Sequence, residues 1–251
     1  SIDNFSNSDE SVIQLIKKIS KKNFYFYNIS ISDHLNLKKI FREHKIDIVV
    51  HFAALKSVPE SLEKPSLYIK NNFEGSKVLF NQMLENNVNR IIFSSSASVY
   101  GDQNSPLKED LNPKPLNPYA ESKVRVEEKL LEISNEIDAF RAIILRYFNP
   151  VGCDSSYEIG EIQSKPANLF PIICSSISEK INIKIYGNDY DTHDGTPVRD
   201  FIHISDLING HMEAMSWFNF SSKKFITINL GTGKGYSVLD IIYKFEELIG
   251  K

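Results

Sequence analysis

Tyr119 and Lys123 stand four residues apart just after Pro118, and upstream of them the apolar run Ile91-Ile92-Phe93 ends in Ser94-Ser95-Ser96. At helical spacing Tyr119 and Lys123 share one face, one turn apart. A phenol with a pKa of about 10 is almost wholly in the wrong form to act as a base near neutrality. A neighbouring ammonium favours the phenolate, so Lys123 is expected to pull the Tyr119 pKa down. A strand-end hydroxyl from Ser96 can hydrogen-bond a substrate alcohol and pass its proton to Tyr119. Ser96, Tyr119 and Lys123 together make a proton-transfer device suited to stand beside a hydride-transfer cofactor.

These residues need an apolar strand to carry the serines and a helix to carry the Tyr-Lys pair. Ile91–Phe93 has the continuous apolar character of a parallel strand covered on both faces. Pro118 opens a helix that extends to about Asn135, and Phe140–Arg146 is the following strand. Ile2-Asp3 reads as an earlier strand tip. In a dinucleotide fold an acid at that place takes the adenosine ribose hydroxyls, and Asp3 fits that role. Val12, Leu15, Ile16 and Ile19 form a helical stripe, Phe24–Ile29 a strand, and Ser32 is placed to cap the next helix. Ile46–Phe52 is another buried strand, followed by Ala53 and Ala54, small enough to admit a cofactor close to the backbone, and by Lys56, a point charge able to meet a phosphate. A long helix follows Pro65, with Asn71 and Asn72 along it. The alternation of strands and helices predicts an α/β fold with a doubly wound parallel sheet.

The motifs resemble those of the extended short-chain dehydrogenases/reductases. The likeness is carried by Ser94–Asp102, by Tyr119–Lys123 and by Arg146-Tyr147-Phe148-Asn149-Pro150-Val151-Gly152, and runs from Asp3-Asn4 to Asn229-Leu230-Gly231. Within that superfamily, Gly187–Tyr190 and Asp194–Asp200 are most similar to the UDP-glucose (UDP-galactose) 4-epimerases. The resemblance implies NAD as cofactor, held by Asp3, Asn4, Asn28, Ile29, Phe52, Ala53, Ala54, Lys56, Asn71, Ser94, Tyr119, Lys123 and Phe148. Asn28 stands where epimerases carry an acid against adenine, and Asn72 is the competing choice to Asn71. The resemblance also implies UDP-sugar contacts from Ser96, Tyr119, Asn149, Asn168, Leu169, Tyr186 and Arg199. Ile183–Tyr186 is expected to be a strand presenting Tyr186 to the uracil. Arg199 offers a planar fork to a diphosphate, or an ion pair to Asp200.

The implied reaction interconverts UDP-galactose and UDP-glucose by transient oxidation at C4, in galactose metabolism. Related dehydratases carry carboxylates just after the strand-end hydroxyl, where this chain has Ala97 and Ser98, so loss of water is disfavoured. A UDP-N-acetylglucosamine 4-epimerase is the nearest alternative. A catalytically silent protein that binds NAD or a nucleotide sugar is the alternative of another class.

The predicted division is 1–150 for the NAD-binding domain and 151–251 for a partial UDP-sugar region, some of whose segments return to the main sheet. The chain opens on Ser1-Ile2-Asp3, without an initiator Met or a Gly-rich turn, and so reads as a fragment lacking the first strand and the last part of the substrate region. Its 251 residues have a net charge of -3, which speaks against nucleic acid, and no apolar run reaches a membrane span. Two cysteines suggest a reducing compartment and a cytoplasmic setting. The resemblance suggests a homodimer through helices near 65–86 and 118–135. No metal is expected: Asp189–Asp200 imitates a calcium loop, but its sixth position is Asp194 rather than Gly. Gly231–Gly235 imitates a phosphate loop with the wrong spacing. His203 is expected in the core.

Overall fold

The computed structural model describes residues 1–161 and 168–250. In chain order the elements are β1 (Ile2–Asp3), α1 (Ser11–Ser20), β2 (Tyr27–Asn28), α2 (His34–Glu43), β3 (Val49–His51), α3 (Val58–Glu63), α4 (Pro65–Tyr68), a π-helical segment (Ile69–Glu74) and α5 (Gly75–Glu85). There follow β4 (Arg90–Ser96), a 3-10 turn (Ala97–Tyr100), α6 (Pro118–Glu136), β5 (Arg141–Tyr147) and β6 (Asn149–Val151). The last are α7 (Leu169–Glu179), β7 (Val198–His203), α8 (Ile204–Phe220), β8 (Phe225–Leu230), β9 (Gly235–Ser237) and α9 (Val238–Ile249).

Two units divide the chain: 1–147 with 209–230, and 148–208 with 231–251. The first contains a four-stranded sheet in the order β3-β4-β5-β8, all parallel, and a separate parallel pair β1-β2. Residues 209–230 belong here because β8 returns to pair with β5. Ile91 and Phe93 point to one face of the sheet and pack with Leu79, Phe80 and Met83 of α5 and Val126 and Leu130 of α6. Ile92, Ile143 and Leu145 point to the other and pack with Ala214 and Phe218. Helices therefore cover both faces, as continuous apolar strands require. Each large side chain buried there contributes about 1.5–3 kcal/mol. The second unit holds a three-stranded sheet, β6-β7-β9, with β6-β7 parallel and β7-β9 antiparallel.

Several local expectations need correction. Only Tyr27–Asn28 of the stretch 24–29 is paired as a strand. Asp33, not Ser32, caps α2, its carboxylate accepting the Asn36 amide. Residues 183–186 pair with no strand, so Tyr186 sits on extended chain, 80% exposed. His203 is exposed, while His51 and His211 are the buried histidines. The long helix after Pro65 is broken into α and π segments.

Candidate active site

α6 starts where Asn117 caps it, its side chain accepting the Ala120 amide at 2.9 Å, with Pro118 pre-set in the first turn. That start fixes Tyr119 near the carboxyl end of β4. The Ser96 hydroxyl lies within hydrogen-bonding reach of the Tyr119 side chain. Ser96 Oγ also accepts from the Ser98 amide at 3.2 Å and the Ser98 hydroxyl at 2.9 Å, which leaves its own proton to point at the phenol. One turn on, Lys123 is buried, donates to the Ser94 carbonyl at 2.8 Å and stands 5.8 Å from the Tyr119 ring centroid. The serine, the phenol and the ammonium are thus brought together. Gly101, at φ +66°, lets the chain turn sharply after the Ala97–Tyr100 turn; a Cβ there would meet the Lys114 carbonyl oxygen at 2.0 Å.

The electrostatics differ from the expectation. Burial is the larger influence on Tyr119 and raises its phenol above the ordinary value, while the Ser96 hydrogen bond opposes it. The expected depression by Lys123 is not what governs this group. Lys123 itself is pushed down to about 8 by burial, with Glu127 pulling it back up. His51 is pushed down to about 3 by burial and by Lys123, and is therefore neutral. Its Nε2 lies 2.8 Å from the Ser76 hydroxyl. Burial raises Tyr147 strongly, and its hydroxyl pairs with the buried His211 ring.

A cavity opens at the carboxyl ends of β1, β2 and β3, with Asp3, Asn4, Ile29, Ala53, Ala54 and Asn71 on its walls. Asp3 and Asn28 are register partners on neighbouring strands. The Asp3 carboxylate is fixed by the Phe5 amide at 2.7 Å and the Ser8 hydroxyl at 2.9 Å. Asn28 is exposed beside this cavity, and Ile29 rather than Asn28 lines it. Asn71 faces the cavity, whereas Asn72 is buried, its amide accepting from Leu55 N and donating to Leu55 O and Ser122 Oγ. Phe52 is exposed, its ring 5.1 Å from that of His211, and Lys56 is exposed in the loop beyond. An acid beside small residues at the ends of parallel strands fits the adenosine half of a dinucleotide.

In the second unit, Asn149 begins β6 and is exposed. Phe148 packs closely on Gly231, where a Cβ would come within 2.9 Å of its ring. Asn168 precedes α7, whose first residue is Leu169, and donates to Glu161 at 2.8 Å. Arg199 is exposed on β7 and donates to its neighbour's carbonyl, that of Val198, at 2.8 Å. Asp200 does not pair with it: its carboxylate accepts from Thr232 N and Oγ1 and from Gly233 N at 2.7–2.9 Å. The turn amides that imitate a phosphate loop are thereby already taken. His193, Asp194 and Asp240 bring potential ligand atoms within 4.8 Å of one another. Each acid there already has a local task, Asp240 in the capping box of α9 and Asp194 on Thr196 and Ser237, so no metal is assigned.

Sequence reasoning missed Glu127 and Arg146, buried beneath the site, and the half-buried Ser98 that donates to Ser96; it offered Asn72 only as the competing choice to Asn71. For Asn72 and Glu127 the only signal was a polar residue on a helix face otherwise committed to the core.

Residues 2–231 match the sequence profile of the NAD dependent epimerase/dehydratase family. The chain is 46% identical over 254 residues to the UDP-glucose 4-epimerase of Yersinia enterocolitica, covering all of this chain and 75% of that one. It is 41% identical over 262 residues to that of Drosophila melanogaster, with the same coverage. Among solved structures, the UDP-glucose 4-epimerase of Bifidobacterium longum in complex with NAD+ and UDP superposes with a TM-score of 0.94 at 38% identity, covering 100% of this chain and 75% of that one. With a profile match over most of its length and such relatives, the chain belongs to the NAD dependent epimerase/dehydratase family.

Proposed function

We infer that this protein is an NAD-dependent isomerase that interconverts UDP-galactose and UDP-glucose by inverting C4 of the hexose. The observation that carries the reading is the convergence of Ser96, Tyr119 and Lys123 at the end of β4. NAD, when bound, supplies the acceptor for the C4 hydride and its donor on return. Tyr119 takes the C4 hydroxyl proton, directly or through Ser96, and gives it back after the 4-keto sugar has turned over. The Ser96 hydrogen bond favours the phenolate that accepts, and burial favours the phenol that returns the proton. Lys123 supplies the nearby positive charge and holds the nicotinamide ribose.

Asp3, Asn4, Asn28 and Ile29 are assigned to the adenosine end, with Phe52, Ala53, Ala54, Lys56 and Asn71 along the cofactor, Ser94 near its ribose and Phe148 against the nicotinamide. Asn149, Asn168, Leu169, Tyr186 and Arg199 are assigned to the uridine diphosphate, so that the nucleotide is held firmly and the hexose weakly. The absence of a carboxylate at Ala97 and Ser98 favours epimerisation over loss of water.

The setting we propose is galactose metabolism in the cytoplasm. Cys153 and Cys174 are both free, as in a reducing compartment. Among the described residues no helix is long and apolar enough to cross a membrane. A homodimer is proposed through the helices of 65–86 and 118–135, where α4 and α6 expose Leu67 and Leu131.

Incubating the protein with NAD and UDP-galactose and identifying the sugar nucleotide by NMR tests the reaction. UDP-glucose is the expected product; unaltered UDP-galactose or a 4-keto-6-deoxy sugar would discard it.

A further inference from the structure

One face of α6 holds the end of β4 at three points. Tyr119 meets Ser96, Lys123 donates to the Ser94 carbonyl, and Glu127, one turn further on, accepts the Ser95 hydroxyl. Ser95 lies on the sheet face that carries Ile91 and Phe93, the face covered by α6. Its register partner on β5 is Arg146. Arg146 meets the same carboxylate in a fork, Nε to Oε1 at 3.1 Å and Nη2 to Oε2 at 2.7 Å. The Glu127 and Arg146 side chains are 7% and 5% exposed. The guanidinium lies 4.8 Å over the Tyr100 ring, and the Tyr100 hydroxyl donates to Asn229 of β8 at 2.7 Å. The carboxylate thus joins α6 to β4 and β5 directly beneath the reacting groups.

An apolar pair of the same volume commonly holds helix and sheet together as well as a buried ion pair does. Packing alone therefore does not explain a carboxylate here. Its neighbour one turn back is a buried cation, Lys123, whose Nζ donates to the Ser94 carbonyl. The other groups described around Lys123 are no settled source of negative charge: His51 of β3 is neutral, and burial disfavours the anionic forms of Tyr119 of α6 and Tyr147 of β5. Arg146 adds positive charge to the same region and shares the Glu127 carboxylate with Lys123.

We propose that Glu127 is a positioning residue for the epimerisation. Through Ser95 it fixes the reach of Ser96 to Tyr119, and its carboxylate is the counter-charge for the buried Lys123 ammonium. This deepens the activity proposed above and rests on it.

The test compares the full chain and its variants, with NAD, turning over UDP-galactose. Glu127→Gln should lower kcat on the order of tenfold to a hundredfold, the scale of a small misplacement of reacting groups. KM for UDP-galactose should stay within about twofold, since no substrate contact is removed. The alkaline limb of the kcat profile should move to lower pH, because loss of the carboxylate lets Lys123 give up its proton sooner. Glu127→Asp should return the limb toward its wild-type position. Ser95→Ala, which leaves the ion pair intact, should lower kcat without moving the limb. Glu127→Gln with wild-type kcat and limb overturns the proposal. Should that variant fail to fold, folded Ser95→Ala with unchanged kcat overturns it. A wild-type protein inert toward UDP-galactose strikes the activity itself, and this role falls with it.

Discussion

The side chain of Asn72 closes both backbone groups of Leu55, its oxygen accepting the Leu55 N–H at 2.8 Å and its nitrogen donating to the Leu55 carbonyl at 3.0 Å. Asn72 thereby stands in for a strand partner to the loop after β3, whose Ala53, Ala54 and Leu55 wall the cavity proposed for the cofactor. Asn72→Ala leaves two backbone groups unsatisfied, each costing about 1–3 kcal/mol. A lower melting temperature and weaker NAD binding are expected together, measured by calorimetry and titration. Unchanged NAD affinity in a folded variant would separate the loop from the cofactor.

Tyr119→Phe removes the hydroxyl proposed to exchange the proton and keeps the ring beside Lys123. The rate with UDP-galactose should fall roughly 10²–10⁴-fold, the usual contribution of a positioned acid–base group. Because the lost hydroxyl belongs to a half-buried side chain, the melting temperature should hardly change. Full turnover by this variant would remove the tyrosine from the chemistry.

Lys123 connects the site to pH in two opposite ways. Its folded value is near 8 and its ordinary value 10.5, so raising the pH through about 8 discharges it in the folded protein. The free-enzyme profile of kcat/KM should therefore fall on the alkaline side of about 8. Stability behaves differently. Between the two values the unfolded chain binds more protons than the folded one, so this group's contribution to stability rises with pH across that window. Lys123→Met should abolish that rise, seen by urea titrations at pH 7.5 and about 10.

Arg199 is exposed, and its neighbouring acid Asp200 is engaged with the 232–233 turn. A phosphate contact made alike in ground and transition states would appear in KM alone. Arg199→Met should raise KM for UDP-galactose roughly ten- to a hundredfold, as loss of charge-assisted hydrogen bonds predicts, with kcat little changed. An unaltered KM in steady-state kinetics would remove Arg199 from the binding surface.

The parts of the site legible in the sequence were those fixed by short-range spacing. Tyr119 and Lys123 share a helical turn whatever the tertiary structure, and an apolar run ending in serines announces a buried strand with a polar tip. What escaped was set by long-range packing. Glu127 meets Ser95 and Arg146 only because register places those two side by side on neighbouring strands. Asn71 and Asn72 are alike in sequence, and only the helix path sends one to the cavity and the other inward. Ile183–Tyr186 has strand composition but finds no partner, and composition alone does not hold a strand. The Tyr119 pKa was argued from a nearby charge, yet removal from water outweighs it. β2 is shorter than the run Phe24–Ile29 suggests, since its partner β1 offers only Ile2 and Asp3 to pair with.

The π-helical stretch at Ile69–Glu74 closes its hydrogen bonds over one residue more than the α-helices flanking it. That surplus is costly for a helix and is kept where it re-aims side chains. A one-residue deletion there would yield a smoother, sturdier rod while rotating every amide downstream by about 100°. The irregularity thus sets the rotational phase at which Asn71 meets the cavity and Asn72 the Leu55 backbone.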